Sequence, residues 1–242
     1  MSAESSMLAR GDLSLAFDLT GRGPWLVCHP GGPGLPREHL GTLGGLDRSR
    51  TLVRLDPRGA GGSAAPATGD YSLAAYAADL EDLRVHLSID KMDLFGHSHG
   101  AFVAARYAAT YPVRVRRLIL DAMALRTSEV RPPASGMAGY FARPTAEARA
   151  YAEQLVVPRR EAVNWFGANE VPTLDMSVDL REIVAPTLFI YGHSDWAVTE
   201  PAVREIRGLL RDLTVVEIPA AGHFAWVEQP ADYRHALERF LA

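Results

Sequence analysis

Cysteine and long apolar runs are the scarcest features of this 242-residue chain, and each shortage excludes a class of protein. The one cysteine, Cys28, cannot form an internal disulfide or supply a cysteine-based metal cluster, so we expect a reducing, cytoplasmic setting. No segment approaches the ~20 apolar residues of a membrane span, and the N-terminus lacks the apolar stretch of a signal peptide. We therefore expect a soluble protein with no membrane partner.

Basic charge is also in short supply. The chain has 25 Lys and Arg against 29 Asp and Glu, which gives a formal net charge of -4. A protein with this balance has no basic field to attract nucleic acid or anionic lipid, so we expect no nucleic-acid partner. Hydrophobic residues make up 48% of the chain. At this length that share predicts a single domain with one large core.

Short apolar runs alternate with helical patterns along most of the chain. Most of the runs are continuous, which is typical of strands covered on both faces, whereas 12–19 alternates and is typical of an antiparallel edge strand. This alternation predicts right-handed crossovers and an α/β fold with a mostly parallel sheet and helices on both faces. The predicted strands are 12–19, 24–30, 50–56, 91–96, 116–122, 185–192 and 213–219. The predicted helices are 72–87, 100–112, 200–213 and 229–242.

The stretch 123–184 interrupts the alternation. It has no strand pattern, and two amphipathic helical patterns, 145–157 and 159–169, follow a "RPPASG" loop. We interpret 123–184 as a short helical cap insertion. Residues 1–122 and 185–242 then form the core to which it is attached.

Ser98 lies in the stretch "LFGHSHGAF", between Gly96 and Gly100, after a predicted strand and before a predicted helix. A Gly-x-Ser-x-Gly pattern in this context is typical of a nucleophile elbow. This is a sharp turn at which a side chain at either glycine position would clash with the neighbouring backbone. A serine hydroxyl is a weak nucleophile until a base removes its proton, and the base needs an acid to orient it. The pattern therefore predicts that a histidine and an acid lie elsewhere in the chain.

Two later loops supply that acid and base in the expected chain order. Asp195 in "GHSDWAVTEP" and His223 in "AAGHFAWVEQP" each follow a predicted strand. Because parallel strands end at the same edge of a sheet, both loops should emerge on the side of Ser98. Asp121, at the end of the strand beside the nucleophile strand, is the second candidate for the acid.

His97 and His99 flank Ser98 and invite a metal interpretation. Alternate residues of a tight turn point apart, and no carboxylate cluster joins these two side chains in the sequence. We predict no metal site and no cofactor.

The loop "VCHPGGPG" follows another predicted strand and suits the stabilisation of an oxyanion, the negative charge that forms when a serine attacks a carbonyl. One backbone N–H donor is expected from His99, the residue after the nucleophile, and a second from this loop. Pro33 has no N–H, so Gly32 is our candidate. The loop matches neither common phosphate-binding glycine spacing.

Five motifs together resemble the signature blocks of the α/β-hydrolases, and within them the proline iminopeptidase-like group. They are "GGPG" (31–34), "DPRGAGGS" (56–63), "GHSHG" (96–100), "GHSD" (192–195) and "GHFAWVEQP" (222–230). The resemblance covers nearly the whole chain outside the insertion and implies the α/β-hydrolase fold.

The chain departs from that group in three respects. Pro30 stands where the group has a histidine before the two glycines, and His99 stands where its members carry tryptophan. The insertion is also shorter than the cap whose acidic residues bind a free amino group in proline iminopeptidases. The carboxylates available for that task here are Glu147, Glu153, Glu161, Glu170 and Asp175.

These observations predict a serine hydrolase with a Ser98, His223 and Asp195 triad that acts on a small ester, lactone, thioester or amide. The alternatives are an aminopeptidase that releases an N-terminal residue such as proline, non-hydrolytic carbon–carbon cleavage or elimination, and a binding protein without turnover. The expected partner is a small-molecule or short-peptide substrate, bound between the sheet edge and the insertion. The predicted pocket residues are His29, Tyr140, Phe141, Trp165 and Phe166.

Overall fold

The structure is a computed structural model that describes residues 4–11, 13–155, 157 and 159–242. In these residues eight strands form one sheet in the order β1-β2-β4-β3-β5-β6-β7-β8. Strand β2 pairs antiparallel with both of its neighbours, and the other pairs are parallel, which confirms the predicted mostly parallel sheet. The strands are β1 (Glu4–Arg10), β2 (Leu13–Gly21), β3 (Trp25–His29), β4 (Thr51–Leu55), β5 (Met92–His97), β6 (Val115–Asp121), β7 (Thr187–Gly192) and β8 (Leu213–Ile218).

The first predicted strand is antiparallel, as its alternating pattern indicated, but it does not lie at the edge. Asp12, the first residue of that prediction, lies outside the described residues, and the strand begins at Leu13. Strand β1 pairs along it and takes the edge position. The sequence of β1, "ESSMLAR", has no continuous apolar run and so does not predict a strand. Its strand conformation depends on pairing with β2.

The predicted helices are present, and polar caps begin several of them. Ser72, Thr145 and Thr199 each accept a hydrogen bond from a backbone N–H three residues later, which satisfies a donor that a helix leaves unpaired. The α-helices are α1 (Leu73–His86), α2 (His99–Thr110), α3 (Ala146–Gln154), α4 (Glu161–Asn169), α5 (Ser177–Glu182), α6 (Glu200–Leu209), α7 (Ala225–Glu228) and α8 (Pro230–Leu241). Short 3-10 segments are Arg37–Leu40, Leu46–Arg48, Pro112–Arg114, Thr127–Glu129 and Gly136–Tyr140. None of the described helices has the length and apolarity that a bilayer crossing needs.

Two apolar clusters cover the two faces of the sheet. Successive strand residues point to opposite faces, so Leu94 and Phe95 of β5, both fully buried, belong to different clusters. Helices α1, α2, α4, α5 and α6 contribute to the cluster of Leu94, and α3, α7 and α8 to that of Phe95. A sheet covered on both faces leaves its edge at the carboxyl ends of the strands as the place for a site.

The chain between β6 and β7 holds α3, α4 and α5. The first two match the predicted amphipathic helices, although α3 ends at Gln154 and Val156, within the prediction, lies outside the described residues. Helix α5 was not predicted, because its six residues, "SVDLRE", are too few to show a helical period. An isolated antiparallel bridge joins Arg126 to Asp175 across this segment.

Candidate active site

Ser98 stands on a strained turn between β5 and α2. Its φ of 53° lies in the left-handed region, which costs a non-glycine residue free energy. A side chain on Gly96 would place a Cβ 2.1 Å from the Gly100 carbonyl oxygen, and one on Gly100 would meet the His29 carbonyl oxygen at 2.4 Å. Both glycines are therefore required for the close approach of the backbone. The Ser98 N–H donates to the Asp121 carbonyl oxygen at 2.8 Å and ties the turn to β6.

His223 and Asp195 form a buried hydrogen-bonded pair on the loops that follow β8 and β7. The distance between His223 Nδ1 and Asp195 Oδ1 is 2.8 Å. The backbone holds both residues, because the His223 N–H donates to the Tyr140 carbonyl oxygen at 2.7 Å and Asp195 Oδ1 accepts from the Ala197 N–H at 2.9 Å. With Nδ1 facing the carboxylate, the other ring nitrogen of His223 is the one free to exchange a proton at the cavity.

Asp121, the second candidate for the acid, is paired with a different histidine. Its Oδ2 lies 2.9 Å from Nδ1 of His97, and both side chains are almost completely buried. Burial raises the pKa of Asp121 well above its ordinary value, with a further rise from the nearby Asp195 charge. Burial likewise lowers the pKa of His97, helped by the positive charge that His223 can carry. Burial therefore favours the uncharged form of each partner.

The glycine loop lies directly against the nucleophile turn. A Cβ on Gly31 would lie 2.9 Å from the His97 ring and 3.3 Å from the Ser98 Cβ. Gly32 has a φ of 121°, which favours glycine, and it lines the same cavity as Ser98 and His99. Among the described residues, neither the Gly32 N–H nor the His99 N–H donates to a protein acceptor. Both donors are therefore available to a bound molecule.

A cavity of about 580 Å³ lies over these residues, between the sheet edge and the 123–184 segment. Its wall is mainly apolar, and no Asp or Glu of the described residues belongs to it. The lining residues are Gly32, Pro33, Leu35, His97, Ser98, His99, Phe102, Ala122, Ala124, Thr127, Ser128, Val130, Arg131, Pro132, Met137, Tyr140, Leu155, Val157, Val163, Phe166, Val171, Pro172, Trp196, Ala197, His223 and Phe224.

Two of the five predicted pocket residues, Tyr140 and Phe166, line this cavity. Their chain neighbours do not. Phe141 packs on Phe224, with ring centroids 5.4 Å apart, and Trp165 packs against the core cluster on the Leu94 face. Adjacent residues of a helix or an extended segment point in different directions, so only one of each neighbouring pair can face the cavity.

His29, the fifth predicted pocket residue, is fully buried beneath the site and is not part of the cavity wall. Its Nδ1 lies 2.9 Å from the Pro30 carbonyl oxygen, and its ring packs edge-on against Tyr76 at 5.7 Å. Because burial lowers the pKa of His29 to about 4, the side chain is uncharged at neutral pH.

Sequence reasoning missed several wall residues, of which some carried a usable signal. Trp196 and Phe224 directly follow the predicted acid and base, and Phe102 lies one helical turn after Ser98. Their position beside predicted residues would have identified them. Met137 and Val130 come from the irregular part of the 123–184 segment, where no periodicity indicates which side chains point inward.

None of the five carboxylates considered as amine ligands is part of the cavity wall. Asp175 instead pairs with Arg126, at 2.8 Å from Nε, and accepts from the Ser177 N–H. Glu170 lies 3.5 Å from the Leu73 N–H. The others, Glu147, Glu153 and Glu161, have exposed side chains.

Comparison with known proteins finds similar hydrolases. The chain is 23% identical to a 2-hydroxy-6-oxo-2,4-heptadienoate hydrolase of Pseudomonas putida, over 98% of this chain and 95% of that protein. It is 25% identical to a pyrrolizixenacetamide deacetylase of Xenorhabdus hominickii, over 96% of each. A solved proline iminopeptidase of Mycobacterium smegmatis superposes with a TM-score of 0.83 at 18% identity, over 98% of this chain and 97% of that one.

The family assignment rests on more than these individual similarities. Residues 24–147, from the start of β3 to the start of α3, match the α/β hydrolase fold family. This stretch includes the glycine loop and the Ser98 turn, and the eight-stranded sheet has the mostly parallel arrangement that the motifs implied. The chain therefore belongs to the α/β-hydrolase fold family.

Proposed function

We propose that this protein is a serine hydrolase that cleaves a small ester, lactone, thioester or amide through an acyl-enzyme on Ser98. One observation carries the proposal. Ser98, on its strained turn, and His223, hydrogen-bonded to Asp195, line one and the same cavity. A serine, a histidine and an orienting carboxylate in this relation are the parts that acyl transfer requires.

In the proposed mechanism the Ser98 Oγ attacks the acyl carbon while His223 removes its proton. Asp195 accepts the hydrogen bond from His223 Nδ1, which keeps the imidazole oriented and stabilises its protonated form. His223 then gives the proton to the leaving group as the bond between acyl carbon and leaving group breaks. A water molecule then attacks the acyl carbon while His223 removes one of its protons. The bond between the acyl carbon and Ser98 Oγ breaks, His223 gives that proton to Oγ, and the acyl group leaves as the acid.

The oxyanion that forms in each step would be stabilised by the N–H groups of Gly32 and His99. Both residues line the cavity beside Ser98, and neither N–H has a protein acceptor among the described residues. A preorganised donor of this kind contributes about 3 kcal/mol of barrier lowering.

The cavity wall disfavours a substrate with a free N-terminus. An ammonium group needs a carboxylate, and none of the described Asp or Glu residues is part of this wall. Apolar side chains such as Phe102, Val163 and Phe166 dominate it instead. The relatives include a deacetylase and a hydrolase of an oxo-dienoate, and neither name is that of an aminopeptidase.

Covalent labelling tests the nucleophile. A fluorophosphonate should add to the folded protein at Ser98, located by peptide mass spectrometry, and the label should be lost in Ser98→Ala. Ser128→Ala is the matched control, because Ser128 lines the same cavity, and it should label fully. Folded protein that stays unlabelled at Ser98 would show that the mechanism is wrong.

The substrate class is tested by comparing kcat/KM for a prolyl arylamide with values for arylesters and lactones, with Ser98→Ala as background. We expect ester or lactone turnover and little amidase activity on the free amine. A strong arylamide rate that disappears when the amine is acetylated would instead establish an aminopeptidase.

A further inference from the structure

Three histidine side chains line the cavity, and one of them differs from the other two. His97 is hydrogen-bonded to Asp121 and His223 to Asp195. No hydrogen bond joins either ring nitrogen of His99 to another of the described residues, and its Nε2 is completely buried. His99 is therefore an imidazole in the cavity wall whose hydrogen-bonding groups none of the described residues uses.

Aromatic side chains hold the His99 ring in one orientation. Phe166 packs edge-on against it at 4.8 Å between ring centroids, and Tyr76 does so at 5.3 Å. The His29 ring lies 6.4 Å away, and its own Nδ1 is engaged with the Pro30 carbonyl oxygen. With neighbours on several sides, the imidazole cannot rotate into bulk water to satisfy its nitrogens. Nε2 has no exposed surface, and the neighbouring Tyr76 hydroxyl and His29 Nε2 are also buried without partners. Nδ1 is therefore the ring nitrogen that is left for a molecule in the cavity.

The charge of His99 limits what that partner can be. Burial lowers the pKa of His99 to about 3, so the ring is neutral at neutral pH. A neutral imidazole offers one N–H donor and one acceptor nitrogen, and no charge to hold a carboxylate. Buried polar groups in native proteins are nearly always hydrogen-bonded. The matching group on a ligand is an uncharged oxygen, such as a hydroxyl, an ether or a carbonyl.

We propose that His99 determines specificity by hydrogen-bonding an uncharged oxygen on the acyl group. Ser98 and His99 are adjacent in the chain and both line the cavity, so an acyl group on Ser98 lies close to His99. This inference rests on the proposed serine hydrolase function, since it names the acyl group that the same site takes.

Two isosteric pairs of 4-nitrophenyl esters test the inference. One pair is 3-hydroxybutyryl, as separate enantiomers, against 3-methylbutyryl, and the other is methoxyacetyl against butyryl. Each kcat/KM is divided by the hydroxide-catalysed rate constant of the same ester, which removes intrinsic reactivity. The wild-type enzyme should prefer the oxygen-bearing member of at least one pair by about tenfold or more. Equal values in both pairs would overturn the inference.

Variants assign any such preference to the imidazole. His99→Phe keeps a planar ring without nitrogens and should abolish the preference, whereas His99→Gln keeps a donor and an acceptor and should retain part of it. Phe102→Leu is the matched control, because Phe102 lines the same cavity from the same helix, and it should change both members of a pair by the same factor. A preference that survives in His99→Phe would overturn the assignment, and if that variant does not fold, the wild-type ratios decide.

The same assay separates the two proposals. Ester turnover that persists in Ser98→Ala would reject the proposed function, and the inference about the acyl group would fall with it. Turnover that requires Ser98 but shows no preference for oxygen would reject the role of His99 alone.

Discussion

Two buried histidine–aspartate pairs lie within one site among the described residues, and we propose different roles for them. His223 and Asp195 lie on loops that follow β8 and β7, whereas His97 and Asp121 are the last residues of β5 and β6. The hydrogen bonds are almost the same length, 2.8 Å in the first pair and 2.9 Å in the second. Bond length between an imidazole and a carboxylate therefore does not distinguish a pair that can do chemistry from one that supports the fold.

Both histidine rings pack among aromatic side chains, and it is the backbone connection to the nucleophile turn that distinguishes the pairs. The His97 ring is packed between Trp226 at 4.6 Å and Phe224 at 5.4 Å, and burial lowers its pKa. The Asp121 backbone also accepts the Ser98 N–H, so the strand that carries the carboxylate fixes the nucleophile turn. We infer that the strand-end pair positions the turn. The loop pair is the one that we expect to move protons.

The largest difference should separate His223→Ala from His97→Ala. Because His223 is the proposed base, its loss should lower kcat/KM for an arylester by ~10⁵-fold, as should Ser98→Ala, and the protein should stay folded. His97→Ala should lower it by less than ~100-fold but should reduce the free energy of unfolding by ~2 kcal/mol, because Asp121 loses its buried partner. Ester assays and urea unfolding measure the two effects. A folded His97→Ala protein as inactive as His223→Ala would remove the distinction between the pairs.

Replacing the two aspartates should show the same order, with a larger loss of activity for Asp195 than for Asp121. Asp195→Asn should lower kcat by ~10³ to 10⁴-fold, because an amide cannot stabilise the imidazolium that forms during attack. Asp121→Asn should stay within ~10-fold of wild type, because an amide can donate to or accept from the neutral His97. Steady-state kinetics on one arylester suffices, with circular dichroism as the control for folding. An inactive Asp121→Asn beside an active Asp195→Asn would reverse our choice of acid.

A smaller effect should appear as an acid-dependent loss of stability. Burial lowers the pKa of His29 to about 4 and that of His39 to about 3, so in the folded state these side chains remain neutral well below pH 6.5. The unfolded chain takes up those protons first, so stability is complete above pH 6.5 and falls as the pH drops toward 4. Each such histidine contributes a slope of about 1.4 kcal/mol per pH unit in this range. The raised pKa of Asp121 acts in the opposite direction, so it is the difference between a variant and wild type that is informative.

The variant His39→Phe removes the contribution of one of these histidines to the pH dependence of the free energy of unfolding. Neither ring nitrogen of His39 has a hydrogen-bond partner among the described residues, so the substitution should cost little at pH 7. Urea unfolding between pH 7 and 4.5 should show a slope shallower than that of wild type by about 1.4 kcal/mol per pH unit. Equal slopes would mean that His39 becomes protonated in the folded protein.

Much of the fold could be predicted because its signals are local. Continuous apolar runs identified the strands from β3 to β8, and the Gly-x-Ser-x-Gly context identified the turn at Ser98. Strand β1 was not predicted, because its polar sequence becomes a strand only through pairing with β2. The pocket residues were predicted least well, because in Tyr140 and Phe141, or Trp165 and Phe166, the sequence does not show which neighbour faces the cavity.

The sequence by itself determined the order of strands and helices, the glycines that the Ser98 turn requires, and the order of serine, aspartate and histidine along the chain. Only the tertiary structure decided which imidazole each carboxylate reaches. Asp121 and Asp195 both lie at the carboxyl ends of neighbouring strands, and local patterns do not distinguish them. Packing distinguishes them, because Asp121 at the end of β6 faces His97, whereas Asp195, three residues beyond the end of β7, faces His223.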